Sequence, residues 1–167
     1  RSRKLQNERF FFIGIDNKIK KKQNNLIKKF AINSKPRNLD FKRGGNKFSV
    51  SNYYGNIIDL NFTDFFTKKL VYKDYELIAR KVKFIIIRDL RHLNDDCQNL
   101  ATRFIFFIDA LYENKNILSL STDNELDKIY SGNINSFEFK RTISRLNEMR
   151  SSDYIKDNLK LVFKNIK

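Results

Sequence analysis

Residues 83–120 read KFIIIRDLRHLNDDCQNLATRFIFFIDALYENKNILSL, and the changes of hydrophobic period within this stretch decide the fold. Lys83–Ile87 is a β-branched apolar run bounded by charges, the pattern of a strand buried on both faces. Beyond it, Leu93, Cys97, Leu100, Ala101, Phe104, Ile108, Leu111 and Tyr112 recur at helical spacing. Asn94 is placed to cap this helix, and Asp95 and Asp96 suit its positive N-terminal end. Asn116–Leu120 returns to the strand pattern. A strand, a long helix and a second strand make a right-handed βαβ unit, so this part of the chain carries a parallel sheet.

Working outward, residues 124–130 read as a short helix, and Phe137–Met149 and Tyr154–Phe163 as two closing helices. Upstream, Thr63–Lys69 and Asp74–Val82 look helical. Arg37–Lys42, Lys47–Ser51 and Asn56–Asn61 are strand-like, with a hairpin turn at Arg43-Gly-Gly-Asn46 and a second turn at Gly55. They predict a small antiparallel meander. Arg9–Ile15 predicts one more buried strand. Asp16 is placed to cap a helix running to Ala31, with Ile19, Leu26, Ile27 and Phe30 on one face and lysines largely on the other. The fold class is therefore α/β: a small antiparallel meander followed by a βαβ unit and C-terminal helices. The composition shift near residues 52–62 is the best boundary candidate. It separates residues 1–62 (strand, basic helix and meander) from the α/β region 63–167, and the two can equally form one continuous domain.

The 167 residues hold 34 Lys/Arg against 19 Asp/Glu, a formal charge of +15. Such a balance points to acidic partners: nucleic acid, an anionic membrane or nucleotide phosphates. The excess is uneven, since residues 1–50 contain 15 basic and 3 acidic residues. Lys20, Lys21, Lys22, Lys28 and Lys29 form the candidate basic patch, either a solvated helix face or a surface for phosphate or lipid. Lys, Asn, Ile and Phe, all with A/T-rich codons, fill 77 positions, so codon bias is a competing cause of the lysines. Cys97 and His92 are each alone in their type, which excludes a disulfide framework and a cysteine zinc site. His92 is expected at the surface. No apolar run is long enough to span a membrane.

Chemistry-bearing motifs are few. There is no GxxxxGK[ST], no GxGxxG, no HExxH and no acidic metal cluster. Asp89, at the end of Ile85-Ile-Ile-Arg-Asp89, lacks the second acid of a magnesium-holding strand end and reads as a structural loop residue. Neither a catalytic residue nor a metal ligand is assigned. Two segments are more informative. Arg103 and Asp109 lie on a mostly apolar helix, where a charge needs either a fixed internal partner or a ligand. Arg141 and Arg145 lie four apart on another helix, flanked by Glu138 and Glu148. They form either a salt-bridge ladder or a clamp for an anion or partner.

RFIFFIDALYE (103–113) followed by FEFKRTISRLNEMRSSDYI (137–155) resembles the C-terminal signature of the ZapE-like AAA+ ATPases. RSRKL (1–5), LNFTDFF (60–66) and DYELIARKVKFIIIRDL (74–90) agree in order, so the resemblance covers nearly the whole chain. It departs at Arg91, where the family usually has proline. Thr102 stands where the family has a first arginine, and Lys140 stands for a glutamate. The resemblance implies ATP hydrolysis with magnesium in the family and, for bacterial members, action at the division site. It also makes Arg103 a candidate nucleotide-binding residue, the alternative being a pairing with Asp109 or another helix; from the residues themselves, Asp109, Arg141 and Arg145 are structural or partner-binding. Family members carry their phosphate loop and magnesium-binding acids upstream of the matched part. The expectation is therefore a C-terminal fragment of such an enzyme, inactive alone and needing neither ATP nor magnesium. Its partner would be a nucleotide-binding half or a division-site protein. Its place would be the cytoplasm or the periphery of the inner membrane. The rival expectation is a basic, non-enzymatic module for nucleic acid, anionic membrane or a separately encoded ATPase half.

Overall fold

The computed structural model describes residues 9–163; RSRKL falls outside them. The elements in chain order are β1 (Phe11–Ile13), α1 (Asn17–Phe30), β2 (Arg37–Arg43), β3 (Asn46–Tyr53), β4 (Ile57–Asn61), α2 (Phe62–Phe66) and α3 (Tyr72–Lys81). Then follow β5 (Phe84–Leu90), a 3₁₀ turn at Asp95–Cys97, α4 (Gln98–Glu113), β6 (Ile117–Thr122), α5 (Ser136–Met149) and α6 (Ser152–Asn158). Short 3₁₀ turns at Leu126–Lys128 and Leu159–Phe163 complete the set.

All six strands join one mixed sheet in the order β1-β6-β5-β4-β3-β2. The expected βαβ unit is present: β5 and β6 are parallel neighbours, with Ile85 opposite Leu118 and Ile87 opposite Leu120. The meander is also present, and its third strand has a second role. β4 meets β3 antiparallel at Tyr53–Ile58 and then runs parallel to β5 from Ile57–Phe84 to Asn61–Arg88. β1 closes the other edge, parallel to β6 through Phe11–Leu120 and Ile13–Thr122. The turn between β2 and β3 is made by Gly44 and Gly45, with Gly44 at φ +58°, a conformation that glycine adopts without steric cost.

Helices cover both faces of the parallel strands, which is why those strands are near-continuous apolar runs. Phe84, Ile86, Ile57 and Ile117 point to a core shared with Leu26 and Phe30 of α1 and Ile155 of α6. Ile85, Ile87, Leu118 and Leu120 point to the larger core beneath α2, α3, α4 and α5. In that core Phe62, Phe65, Phe66, Tyr75, Phe104 and Phe107 form one ring cluster, with centroids from 4.8 Å (Phe62–Phe66) to 6.1 Å (Phe66–Tyr75) apart. Tilted and edge-on rings at such spacing add to the stabilisation from burial alone. Tyr75 is fully buried and burial raises its phenol pKa, so the ring is kept neutral.

Asp16 caps α1 as its position predicts, accepting from the Ile19 backbone N–H at 3.1 Å. Asn94 caps the 3₁₀ turn rather than the long helix directly, accepting from Asp96 N–H at 2.8 Å. The α-helix starts four residues later than Asn94, at Gln98. Leu93, just before the cap, is held in a bridge to Tyr130.

Candidate functional site

Arg103 projects from the middle of α4 and is half-buried. Its Nη1 donates to the Phe66 carbonyl at 2.9 Å. That oxygen belongs to the last residue of α2, where a carbonyl lacks its helical partner and a cation is favoured. Arg103 does not pair with Asp109; the internal partner that its apolar helix demanded lies across the core on α2.

Asp109, two turns further along α4, is the centre of a charged seam between α4 and α5. The Arg145 guanidinium donates to its carboxylate, and Arg141 approaches the second oxygen at 3.8 Å. Arg145 also lies 4.9 Å from the Tyr112 ring centre and 4.0 Å from Glu113. Glu148 accepts from the Tyr112 hydroxyl at 2.9 Å, a bond that raises the phenol pKa. The ladder along α5 that sequence spacing allowed is not the arrangement. Arg141 and Arg145 reach across to α4, because the face they share is the one packed against it. Arg145 is three-quarters buried and Arg141 about half exposed, so the first is a structural ion pair and the second retains surface access.

The outward face of α1 carries Lys18, Lys20, Lys21, Lys22, Lys28 and Lys29, all exposed, and the helix contains no carboxylate. Its inward face is Ile19, Gln23, Leu26 and Phe30. Gln23 was invisible to an apolar pattern. It is buried and donates to Ser119 Oγ at 3.1 Å, a polar contact that registers α1 on β6.

In open α/β sheets, ligands bind beyond the carboxyl ends of the parallel strands. Here those ends present carboxylates held by the protein itself. Asp16 follows β1 and occupies the first turn of α1. Asp123 follows β6 and accepts from His92 N–H at 3.1 Å. Asp89 sits at φ +63° in a register shift of β5. Its N–H donates to Ser121 Oγ at 3.0 Å, and its carboxylate accepts from Asn61 at 3.3 Å. It is a bulge residue, of the type that tolerates the left-handed region. Beside it, Arg88 donates to Asp59 at 2.7 Å and to Asn24 at 2.7 Å. These bonds tie the sheet to α1, and neither partner is close to Arg88 in sequence.

Asp95 has a larger role than charge at a helix end. It accepts from the N–H groups of Asn133 at 3.0 Å and Ile134 at 3.0 Å, and these bonds hold its carboxyl below the ordinary range. A Cβ at Gly132 would lie 2.4 Å from Asp95 Oδ1 and 2.3 Å from the Tyr130 hydroxyl, so any larger residue there would push these two side chains out of the loop. His92, exposed as expected, bonds Lys128 O at 3.1 Å and Ser131 Oγ at 2.7 Å.

The arrangement is that of a three-layer α/β domain whose strand ends are closed by its own carboxylates and whose helix seam is closed by arginines. The chain belongs to the AFG1-like ATPase family, whose model matches residues 1–158. It is 35% identical to the cell division protein ZapE of Escherichia coli (strain K12), over 50% of this chain and 22% of that protein. It is 24% identical to the lactation elevated protein 1 homolog B of Danio rerio, over 87% of this chain and 36% of that protein. An uncharacterized protein of Schizosaccharomyces pombe is 28% identical over 66% of this chain and 31% of its own length. The matches thus span between a fifth and about a third of the relatives' lengths. No solved structure matches. Among the described residues no helix is long and apolar enough to cross a membrane.

Proposed function

We propose that this chain is the C-terminal α/β module of an AFG1-like ATPase. In this reading it works with a nucleotide-binding half and does not hydrolyse ATP by itself. The observation that carries the reading is the chemistry at the strand ends. A phosphate loop needs backbone N–H groups turned to an anion at a helix N-terminus. At the β1–α1 turn that position is filled by the Asp16 carboxylate, which would repel a phosphate. Among the described residues no group of three or more His, Cys, Asp or Glu side chains is placed to hold a metal. The sequence agrees, since GxxxxGK[ST] is absent from its 167 residues.

Fluorescent-ATP titration with magnesium tests this directly. No saturable binding is expected for the chain alone, and saturable magnesium-dependent binding would overturn the reading. The same assay with a nucleotide-binding half of a family member added tests the docking part. Arg103 is the residue to follow, because one guanidinium nitrogen is engaged by Phe66 and the others are candidates for a nucleotide held by that half.

A second reading rests on α1, where lysines crowd an exposed face with no carboxylate on the helix. It makes this helix a surface for nucleic acid or anionic membrane. Binding of single-stranded DNA or anionic vesicles should then fall steeply with salt and be lost when Lys20 and Lys21 are changed to glutamate.

A further inference from the structure

At the far edge from the hairpin, β1 is the last strand of the sheet among the described residues. We propose that this edge is a docking cleft for an extended acidic segment of a partner protein, which adds to the sheet as a further strand.

The backbone supports the first half of the proposal. Phe10 O accepts from Leu120 N–H at 3.0 Å, and Gly14 N–H donates to Thr122 O at 2.7 Å. In a parallel ladder such bonds alternate, so the even residues of β1 face β6 and the N–H and C=O groups of Phe11 and Ile13 face outward. No strand pairs with them among the described residues. Unpaired groups on an edge strand are a template for β-addition.

The walls support the second half. An open cleft of about 250 Å³ lies along this edge. Phe11, Ile13 and Leu126 supply apolar surface, and Ile13 is 58% exposed. Arg9, Lys22 and Arg150 stand around it, and among the described residues no carboxylate lines it. None of these three cations has an ion-pair partner among the described residues, in contrast to Arg43, Arg88 and Arg145. Three cations with no carboxylate partner among the described residues, around an apolar strand edge, complement alternating apolar and acidic side chains. The same charges disfavour a second copy of the chain, which brings another +15.

Fluorescence anisotropy at about 150 mM salt tests the proposal on the full chain. The probe is a labelled short peptide alternating glutamate and valine. Saturable binding is expected, as is little or none for the same peptide with lysine in place of glutamate. Methylating the peptide nitrogens at alternate positions, which blocks strand pairing and leaves the charge unchanged, should weaken binding at least about tenfold. The triple variant Arg9→Glu, Lys22→Glu, Arg150→Glu should weaken it to a similar degree, whereas Lys20→Glu with Lys21→Glu, on α1 outside the cleft, should leave it within about twofold. Absence of saturable binding overturns the proposal. So does binding indifferent to N-methylation, which would mean a purely electrostatic contact. So does equal loss in the Lys20/Lys21 variant, which would move the site to the face of α1. None of these outcomes depends on whether the chain binds ATP.

Discussion

The outward face of α1 and the seam between α4 and α5 are both rich in cations, and they use them in opposite ways. On α1 Lys18, Lys20, Lys21 and Lys28 are exposed and the helix offers them no carboxylate. In the seam Arg145 and Arg141 converge on one carboxylate, Asp109, and Arg145 is further enclosed by Tyr112 and Glu113. The contrast follows from side-chain chemistry. Planar guanidinium groups suit fixed, partly buried pairs, whereas the strongly hydrated lysine ammonium stays in water unless a ligand arrives. Net charge alone therefore says little about which surface is available to a partner.

The comparison breaks most sharply at Asp109. Asp109→Ala leaves Arg145 without its main acceptor inside a packed seam. It should destabilise the fold by about 1.5 kcal/mol, the low end for a charge-assisted hydrogen bond because Glu113 and Tyr112 remain nearby. Urea denaturation measures this, and a double-mutant cycle with Arg145→Ala should recover most of the loss as coupling. A smaller effect, about 1 kcal/mol, is expected for Arg103→Ala, which frees the Phe66 carbonyl at the end of α2. If the nucleotide-facing role also holds, ATP turnover by the reconstituted pair should drop with Arg103→Lys even where stability does not. On the other surface, Lys18, Lys20 and Lys21 changed together to glutamine should shift unfolding by no more than about 0.5 kcal/mol. A large loss there would show that the lysine face is structural after all.

The smallest effect concerns pH. The folded-state pKa of Asp95 is lowered by the Asn133 and Ile134 N–H bonds. Its contribution to stability is therefore complete above the unfolded carboxyl pKa and lost as pH falls through the folded one. Thermal unfolding followed from neutral to strongly acidic pH should show a shallower acid-side decline in Asp95→Asn than in the parent chain.

Much of this fold is legible along the chain, and the illegible parts share a cause. Period changes locate β5, α4 and β6 because both neighbours in each pattern lie within a few residues. Asp16 and Asn94 announce caps because capping is local. Gln23 escapes such a reading. Its partner, Ser119, lies on the last strand, and a glutamine between apolar positions carries no sign of burial. Arg88 escapes for the same reason, since Asp59 and Asn24 are brought to it only when β4 and α1 assemble around β5. Arg103 was legible halfway. An arginine in an apolar helix must have a partner, but nothing local distinguishes Asp109 from a carbonyl on α2.

By itself, then, the sequence determined the α/β class, the position of most elements, the basic face of α1 and the absence of a phosphate-loop motif. All of these depend on residue type and short-range spacing. Tertiary structure alone decided that β1 runs beside β6, that the meander's last strand joins the parallel core, and that the arginines of α5 pair across to Asp109. It also decided that Arg9, Lys22 and Arg150 line one cleft beside β1. Those outcomes depend on which buried faces find each other, and burial is a property of the assembled chain rather than of any window of it.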